Sequence, residues 1–185
     1  MHLIFAPRLR NPSHCSKVDG YLLFAIHPDE AIHFLIGADG DAYAGHAKVL
    51  RYVTGPAYDY AHPQASLGSD WALLTLDTKL GTPDRILALR ATAPAVGTAI
   101  MIGGYSEDRR YILTADTACR ITAAGVDAAG HPLLKHNCTG TRGVSGAPVL
   151  VEDNGHWSIG AIDVAAQLGA AIGFAATLEE ARKNF

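Results

Sequence analysis

The sequence is poor in charged residues and in long apolar stretches. Asp, Glu, Lys and Arg make up 18% of its 185 residues, and the formal net charge is −3. No basic run exceeds a pair such as Arg109-Arg110, which argues against nucleic acid as a partner. The longest weakly polar run, 164–177, contains Gln167 and is too short to span a bilayer. We therefore expect neither nucleic acid nor a membrane as a partner.

Cysteine is also scarce, with Cys15, Cys119 and Cys138. Because three is an odd number, at least one of them lacks an internal partner. The nine histidines and three cysteines show no His-x-x-x-His or Cys-x-x-Cys spacing, so we expect no metal and no other cofactor. The first residues lack the basic start, long apolar stretch and cleavage site of a signal peptide.

Helical periodicity is scarce, and short extended segments dominate the chain. A hydrophobic fraction of 49% suits one substantial core, or two small cores that share an interface. Six segments rich in β-branched or aromatic residues and bounded by turns are predicted as strands, and 153–155 (Asp-Asn-Gly) predicts a hairpin. These six segments are 47–54, 71–76, 111–115, 118–122, 148–151 and 157–162.

Two further segments complete the predicted architecture. The tail, 177–183, is predicted as a short helix with Thr177 as N-cap. The Ala-rich segment 161–176 permits a helix by composition, but its two glycines favour strand–turn–strand. Many short strands joined by turns predict an all-β barrel or sandwich. A candidate linker at 77–94 divides this protein into domains at 1–85 and 95–185.

The most informative motif is Gly143–Pro148, with the sequence Gly-Val-Ser-Gly-Ala-Pro. Gly143 can adopt conformations that a side chain would forbid, so its N–H and that of Ser145 can point at one spot beside the hydroxyl. Gly146 leaves room for a substrate carbonyl. The motif therefore predicts a nucleophilic serine with an oxyanion hole formed by Gly143 and Ser145.

A serine hydroxyl needs a base to take its proton and a carboxylate to orient that base. His14 follows the segment that begins at Leu3, and Asp70 opens the apolar strand Asp-Trp-Ala-Leu-Leu-Thr-Leu. The predicted catalytic residues are therefore His14, Asp70 and Ser145. A lipase-type hydrolase does not fit, because a Gly-x-Ser-x-Gly elbow is absent.

Three segments together resemble the chymotrypsin-like (trypsin-like) serine peptidases, especially the bacterial secreted branch. The segments 3–15, 70–76 and 143–148 resemble that family's histidine, aspartate and serine motifs, and they occur in the family's order. The resemblance extends from residue 3 to about residue 176. It implies two antiparallel six-stranded β-barrels and a protein or peptide substrate cleaved through an acyl-enzyme.

The resemblance also assigns roles to individual residues. His14 would be general base and then general acid, with Asp70 as its orienting carboxylate. Thr139 would form the floor of the primary specificity pocket, with the segment Val164, Ala165 and Ala166 as its wall. None of these is acidic, so the resemblance gives no support for a Lys or Arg preference and favours a small or apolar side chain.

A disulfide between Cys119 and Cys138 is implied by the same resemblance, since the bacterial branch frequently has one here. Secretion or a periplasmic location would follow from it. Because the chain begins almost at the histidine motif, the first barrel is expected to be incomplete, with the partner of Cys15 missing. The resemblance gives no oligomeric state.

Four positions depart from the family pattern. Pro12 and Ser13 replace alanines before the histidine, and a proline fixes φ and removes an N–H there. Val144 replaces an aspartate used in zymogen activation, and Asp163 replaces a serine that supports the carboxylate of the triad. These departures leave open an alternative, a catalytically inactive homologue that acts as a peptide-binding or scaffold protein.

Overall fold

The computed structural model describes residues 32–83, 86–106, 112–139, 143–167 and 169–183. Its described part is built from strands in two sheets, with short 3-10 turns and a one-turn helix near the C-terminus. The predicted all-β class with a short C-terminal helix is thereby confirmed. The strands are β1 His33–Ile36, β2 Gly45–Thr54, β3 Ala72–Leu76, β4 Ala88–Leu89, β5 Ala99–Gly104, β6 Thr114–Val126, β7 Pro132–His136, β8 Pro148–Asp153, β9 His156–Gln167 and β10 Ile172–Thr177, and the helix is α1 Glu179–Arg182.

The first sheet contains three antiparallel strands in the order β1-β2-β3. In the central strand β2, Lys48 pairs with His33 of β1 on one side, and Thr54 pairs with Ala72 of β3 on the other. A small core of Phe34, Ala72 and Leu74 lies against this sheet. Within the described residues, the N-terminal part of the chain therefore forms a three-stranded sheet and not a closed barrel.

The second sheet closes on itself as a six-stranded antiparallel barrel. Its strand order is β10-β7-β6-β5-β8-β9, and β9 pairs back with β10. The short β4 adds to the outside of β9 in parallel. Alternating residues fill the barrel because successive side chains of a strand point to opposite faces. This core is formed by Ile100, Ile102, Cys119, Ile121, Leu134, Cys138, Ala147, Val149, Val151, Ala161 and Ala175.

Turn chemistry predicted the barrel's tightest connection. Asn154 and Gly155 join β8 to β9 with φ of 52° and 83°. A two-residue hairpin turn requires this left-handed region at both central positions, which Asn and Gly tolerate best. The Ala-rich segment 161–176 runs through the end of β9 and most of β10, so the strand–turn–strand interpretation is confirmed.

Several element boundaries differ from the predictions. The predicted strands 111–115 and 118–122 contribute to a single long strand, β6, which has an irregular register between Ile121 and Ala123 and needs no turn between them. Thr177 is not an N-cap, because it is the last residue of β10 and pairs with Ala161. The helix is preceded by Leu178 without a side-chain cap. The candidate linker contains β4.

The two sheets share a hydrophobic cluster centred on Trp71, which is 1% exposed. Leu67, Trp71 and Leu73 come from the N-terminal part, and they meet Leu133, Ile162, Val164, Ala176, Leu178 and Ala181. Polar contacts reinforce this junction, since the carboxylate of Asp127 accepts the N–H of Gly68 at 2.9 Å. In addition to its own core, each of the two sheets therefore contributes residues to a third cluster, through which their described parts pack against each other.

Gly55 provides a test of this junction. Its N–H donates to the carbonyl of Trp71 at 2.9 Å, and a Cβ at this position would lie 2.0 Å from the carbonyl oxygen of Ser69. We expect Gly55→Ala to lower the free energy of unfolding by about 1–3 kcal/mol, because backbone must move to admit the methyl group. Urea denaturation measures the effect.

Gly125 is the matched control, since a Cβ there meets nothing within 4 Å. Gly125→Ala on β6 should change the free energy of unfolding by less than about 0.5 kcal/mol. Equal stability of the two alanine variants would contradict the close packing around Gly55.

Candidate functional site

Ser145 lies in a tight turn that leads into β8. Gly143 and Gly146 on either side of it have φ of 100° and 92°, a region that L side chains rarely adopt. The N–H of Ala147 donates to the carbonyl of Val144 at 2.9 Å and closes the turn. The glycines of the motif are thus required by the backbone that presents the serine.

Strand β9 holds this turn from one side. The carbonyl of Asp163 accepts the N–H of Gly146 at 2.7 Å, and the N–H of Asp163 donates to the carbonyl of Ala147 at 2.9 Å. The hydroxyl of Ser145 donates to the carbonyl of Val164 at 3.4 Å. The turn therefore continues the pairing between β8 and β9, which fixes Ser145 relative to the barrel.

Two N–H groups of the turn have no acceptor among the described residues. Gly146 and Ala147 use theirs within the fold, whereas those of Gly143 and Ser145 donate to none of the described residues. A pair of N–H groups beside a serine hydroxyl can stabilise negative charge that develops on a carbonyl oxygen. This arrangement fits the predicted oxyanion hole, and the assignment stays a prediction.

Asp70 lies at the junction between the sheets. It follows a short 3-10 turn, Leu67–Ser69, and its N–H donates to the carbonyl of Leu67 at 3.1 Å. Asp70 is 5% exposed, and the next residue, Trp71, belongs to the same core cluster as Val164 of β9. Asp70 is therefore buried next to a residue that packs against β9, and its role as the orienting carboxylate stays a prediction.

His14 lies outside the described residues, as do Pro12, Ser13 and Cys15. Its predicted role as the base therefore stays a prediction. Among the described histidines, His136 cannot replace it, because both nitrogens of its ring are engaged by other groups.

Thr139, the predicted pocket floor, is bound to Asp116 of β6. Its N–H and its hydroxyl both donate to one carboxylate oxygen of Asp116, at 2.6 Å and 2.8 Å. Burial alone would raise the pKa of Asp116, but these bonds and one from the N–H of Ala118 hold that pKa below its usual value. The sequence did not predict this contact between Asp116 and Thr139.

The predicted wall strand becomes more exposed along its length. Val164 is buried, Ala165 is half-buried and Ala166 is exposed. All three side chains are small or medium-sized and apolar. Their part in substrate binding stays a prediction.

The structure contains a disulfide between Cys119 of β6 and Cys138, which follows β7. Both cysteines are buried in the barrel core. The disulfide connects the segment after β7, which leads towards Ser145, to the neighbouring strand β6. None of the helices formed by the described residues is long and apolar enough to cross a membrane.

A buried polar pair, His136 and Asp163, was not predicted. The Nε2 atom of His136 and the Oδ1 atom of Asp163 are 2.9 Å apart, and the side chains are only 3% and 7% exposed. Burial raises the pKa of Asp163, and the hydrogen bond from His136 opposes that rise. A signal was present in the sequence, since Asp163 interrupts the otherwise apolar and small-residue segment 159–166.

Comparisons with known proteins identify the fold. A Glu endopeptidase in complex with MPD superposes with a TM-score of 0.64 at 16% identity, covering 83% of this chain and 69% of that one. The thermostable serine protease AL20 from an extremophilic microorganism gives a TM-score of 0.61 at 19% identity, covering 83% and 72%. The active form of the Rv3671c protease from M. tuberculosis gives 0.51 at 23% identity, covering 75% and 57%.

No protein-family model matches the chain, and no curated protein matches it in sequence. The identification therefore depends on three-dimensional structure, namely the closed barrel, the second sheet packed beside it and the superposition on solved proteases. On this basis the chain has the fold of the chymotrypsin-like serine peptidases.

Proposed function

We propose that the protein is a serine endopeptidase that uses Ser145 as nucleophile, His14 as base and Asp70 as the orienting carboxylate. The observation that carries the proposal is the Ser145 turn. Two glycines with positive φ present the serine, β9 anchors the turn, and two N–H groups beside the hydroxyl donate to no described residue. This combination is what acyl transfer requires of a backbone.

In the proposed reaction, Oγ of Ser145 attacks the scissile carbonyl carbon while His14 accepts the hydroxyl proton. The N–H groups of Gly143 and Ser145 bind the resulting oxyanion. The C–N bond then breaks as His14 returns the proton to the leaving amine, which leaves an acyl-enzyme. Water attacks the ester with His14 again as base, releasing the acid and restoring Ser145.

Asp70 would accept a hydrogen bond from Nδ1–H of His14 and stabilise the imidazolium that forms in each step. Its burial beside Trp71 supports this role, because a carboxylate in a buried setting orients a ring more firmly than a solvated one does.

The substrate is proposed to be a protein or peptide. The small side chains of Val164, Ala165 and Ala166, together with the absence of an acidic residue among them, support a small or apolar residue before the scissile bond. The side chain of Asp163 is buried against His136, so it gives no support to a Lys or Arg preference. The Cys119–Cys138 disulfide supports an oxidising location, such as the periplasm or the cell exterior.

An inactive peptide-binding homologue is the second candidate. It is favoured by Pro12 and Ser13, which stand directly before His14 and limit the backbone there. The two candidates differ in one measurable property, the reactivity of the Ser145 hydroxyl.

We expect a fluorophosphonate probe to label Ser145 of the folded protein, as located by peptide mass spectrometry. Ser145→Ala should abolish labelling, and His14→Gln should slow it by about 10³-fold or more because the base is lost. Ser158→Ala is the matched control. Ser158 lies in β9, and its hydroxyl donates to a carbonyl at 3.4 Å as that of Ser145 does, so its removal should leave labelling unchanged.

Absence of labelling in a folded sample would favour the inactive homologue. Labelling that persists in Ser145→Ala would place the nucleophile elsewhere.

We expect Asp70→Asn to slow labelling by about 10³- to 10⁴-fold, because the amide favours the wrong tautomer of His14 while preserving the shape of the side chain. The rate is measured with the same probe at neutral pH, and circular dichroism verifies the fold. Asp77→Asn is the control, since Asp77 lies at the end of β3 and accepts the N–H of Lys48. A rate for Asp70→Asn within tenfold of the parent would contradict the role of Asp70.

A further inference from the structure

The buried His136–Asp163 pair spans strand β10 of the barrel. β10 pairs with β7 on one side and with β9 on the other, so the two side chains meet across β10. Gly173 of β10 lies opposite His136, and a Cβ on Gly173 would be 2.0 Å from Cε1 of the imidazole. Because Gly173 has no side chain, the imidazole ring of His136 fits against β10.

The hydrogen bonds of the pair determine its tautomer. The N–H of Cys138 donates to Nδ1 of His136 at 3.3 Å, so this nitrogen acts as an acceptor. Nε2 therefore carries the proton and donates to Oδ1 of Asp163 at 2.9 Å. A chain of hydrogen bonds thus connects the disulfide-bonded Cys138 to Asp163 through a single ring.

Stability alone is a weak explanation for such a pair. A polar pair removed from water gains little over apolar residues of similar volume, because desolvation offsets the attraction between its members. Burial raises the pKa of Asp163, because removal from water disfavours the charged carboxylate. The location of the pair, beside the Ser145 turn, points to a role other than stability.

The backbone of Asp163 lies against the Ser145 turn. Its carbonyl accepts the N–H of Gly146 and its N–H donates to Ala147, so its backbone brackets the residues that follow Ser145. The next carbonyl along, that of Val164, accepts the hydroxyl of Ser145 itself. A shift of the Asp163 backbone would therefore move both the turn and the acceptor of the Ser145 hydroxyl.

We propose that His136 and Asp163 are positioning residues, whose hydrogen bond holds the Asp163–Val164 segment of β9 in register with the Ser145 turn. Neither side chain touches substrate in this role. The inference rests on the proposed function, since it concerns the readiness of the same serine. A displacement of about 1 Å at a reacting group can reduce a rate on the order of 10²-fold, so a small loss of register has a large effect.

The first test measures labelling of Ser145 by the fluorophosphonate probe in the full chain, well below the unfolding temperature of every variant. Asp163→Ala should reduce the limiting labelling rate about 10- to 100-fold and change the probe concentration for half-maximal rate less than about threefold. Asp163→Asn should restore the rate to within about threefold of the parent, because its amide oxygen still accepts from Nε2–H. Asp163→Val also removes the hydrogen-bond acceptor but fills the space that alanine leaves empty. It should behave as Asp163→Ala does, and it replaces that variant if the alanine variant fails to fold.

Val151→Ala is the structural control. Val151 is buried in the same barrel core but pairs with Ser158 near the far end of β8. Its truncation should lower the unfolding temperature without changing the labelling rate. A folded Asp163→Ala or Asp163→Val protein that labels at the rate of the parent would overturn the proposal.

The second test does not depend on activity. Amide hydrogen exchange, measured by NMR, should show the N–H of Gly146 exchanging at least tenfold faster in Asp163→Ala than in the parent, relative to the N–H of Ile121. Ile121 is the reference because its N–H donates to the carbonyl of Thr98 elsewhere in the barrel. An unchanged ratio would overturn the positioning role, whereas failure of the parent to be labelled would refute only the proposed peptidase activity.

Discussion

Burial of the Trp71 side chain is the interaction on which the arrangement of the site depends. The indole is 1% exposed and lies in a cluster that contains residues of both sheets. Removing a fully buried large aromatic side chain typically costs about 3–5 kcal/mol, a large share of the stability of a small domain. Because Asp70 directly precedes Trp71, the packing that joins the sheets also fixes where this carboxylate lies. Fold and proposed chemistry thus depend on the same contact.

Strand β9, on the other side of the junction, also contributes both to core packing and to the position of a proposed catalytic residue. Ile162 and Val164 contribute to the cluster of Trp71, while the backbone of Asp163 and the carbonyl of Val164 hold the Ser145 turn. Alternation of side chains along a strand allows these roles to coexist within three residues, since neighbours face opposite sides. The buried His136–Asp163 hydrogen bond ties this strand to β7 across Gly173. One segment therefore links core packing to the geometry of the proposed nucleophile.

Local signals predicted part of this arrangement. The all-β class, the hairpin at Asn154-Gly155 and the strands within 161–176 followed from turn residues and composition, because those preferences act over a few neighbouring residues. The single long β6 and the start of the C-terminal helix were missed, since pairing with adjacent strands decided them. The same holds for the partners of Asp116 and Asp163, which lie 23 and 27 residues away in the sequence. The catalytic assignments of His14, Asp70 and Ser145 came from sequence motifs, and all three stay predictions.

The dependence of the site on Trp71 is tested most sharply by asking whether the environment of this side chain unfolds together with the barrel. Trp157 is 43% exposed, so Trp157→Phe leaves Trp71 as the sole tryptophan without disturbing the core. If Trp71 lies in a core shared by the two sheets, its emission should be blue-shifted and resist acrylamide quenching, and its urea transition should coincide with the loss of β-sheet circular dichroism. An emission quenched as readily as free tryptophan, or a fluorescence transition well before the loss of circular dichroism, would contradict the shared core.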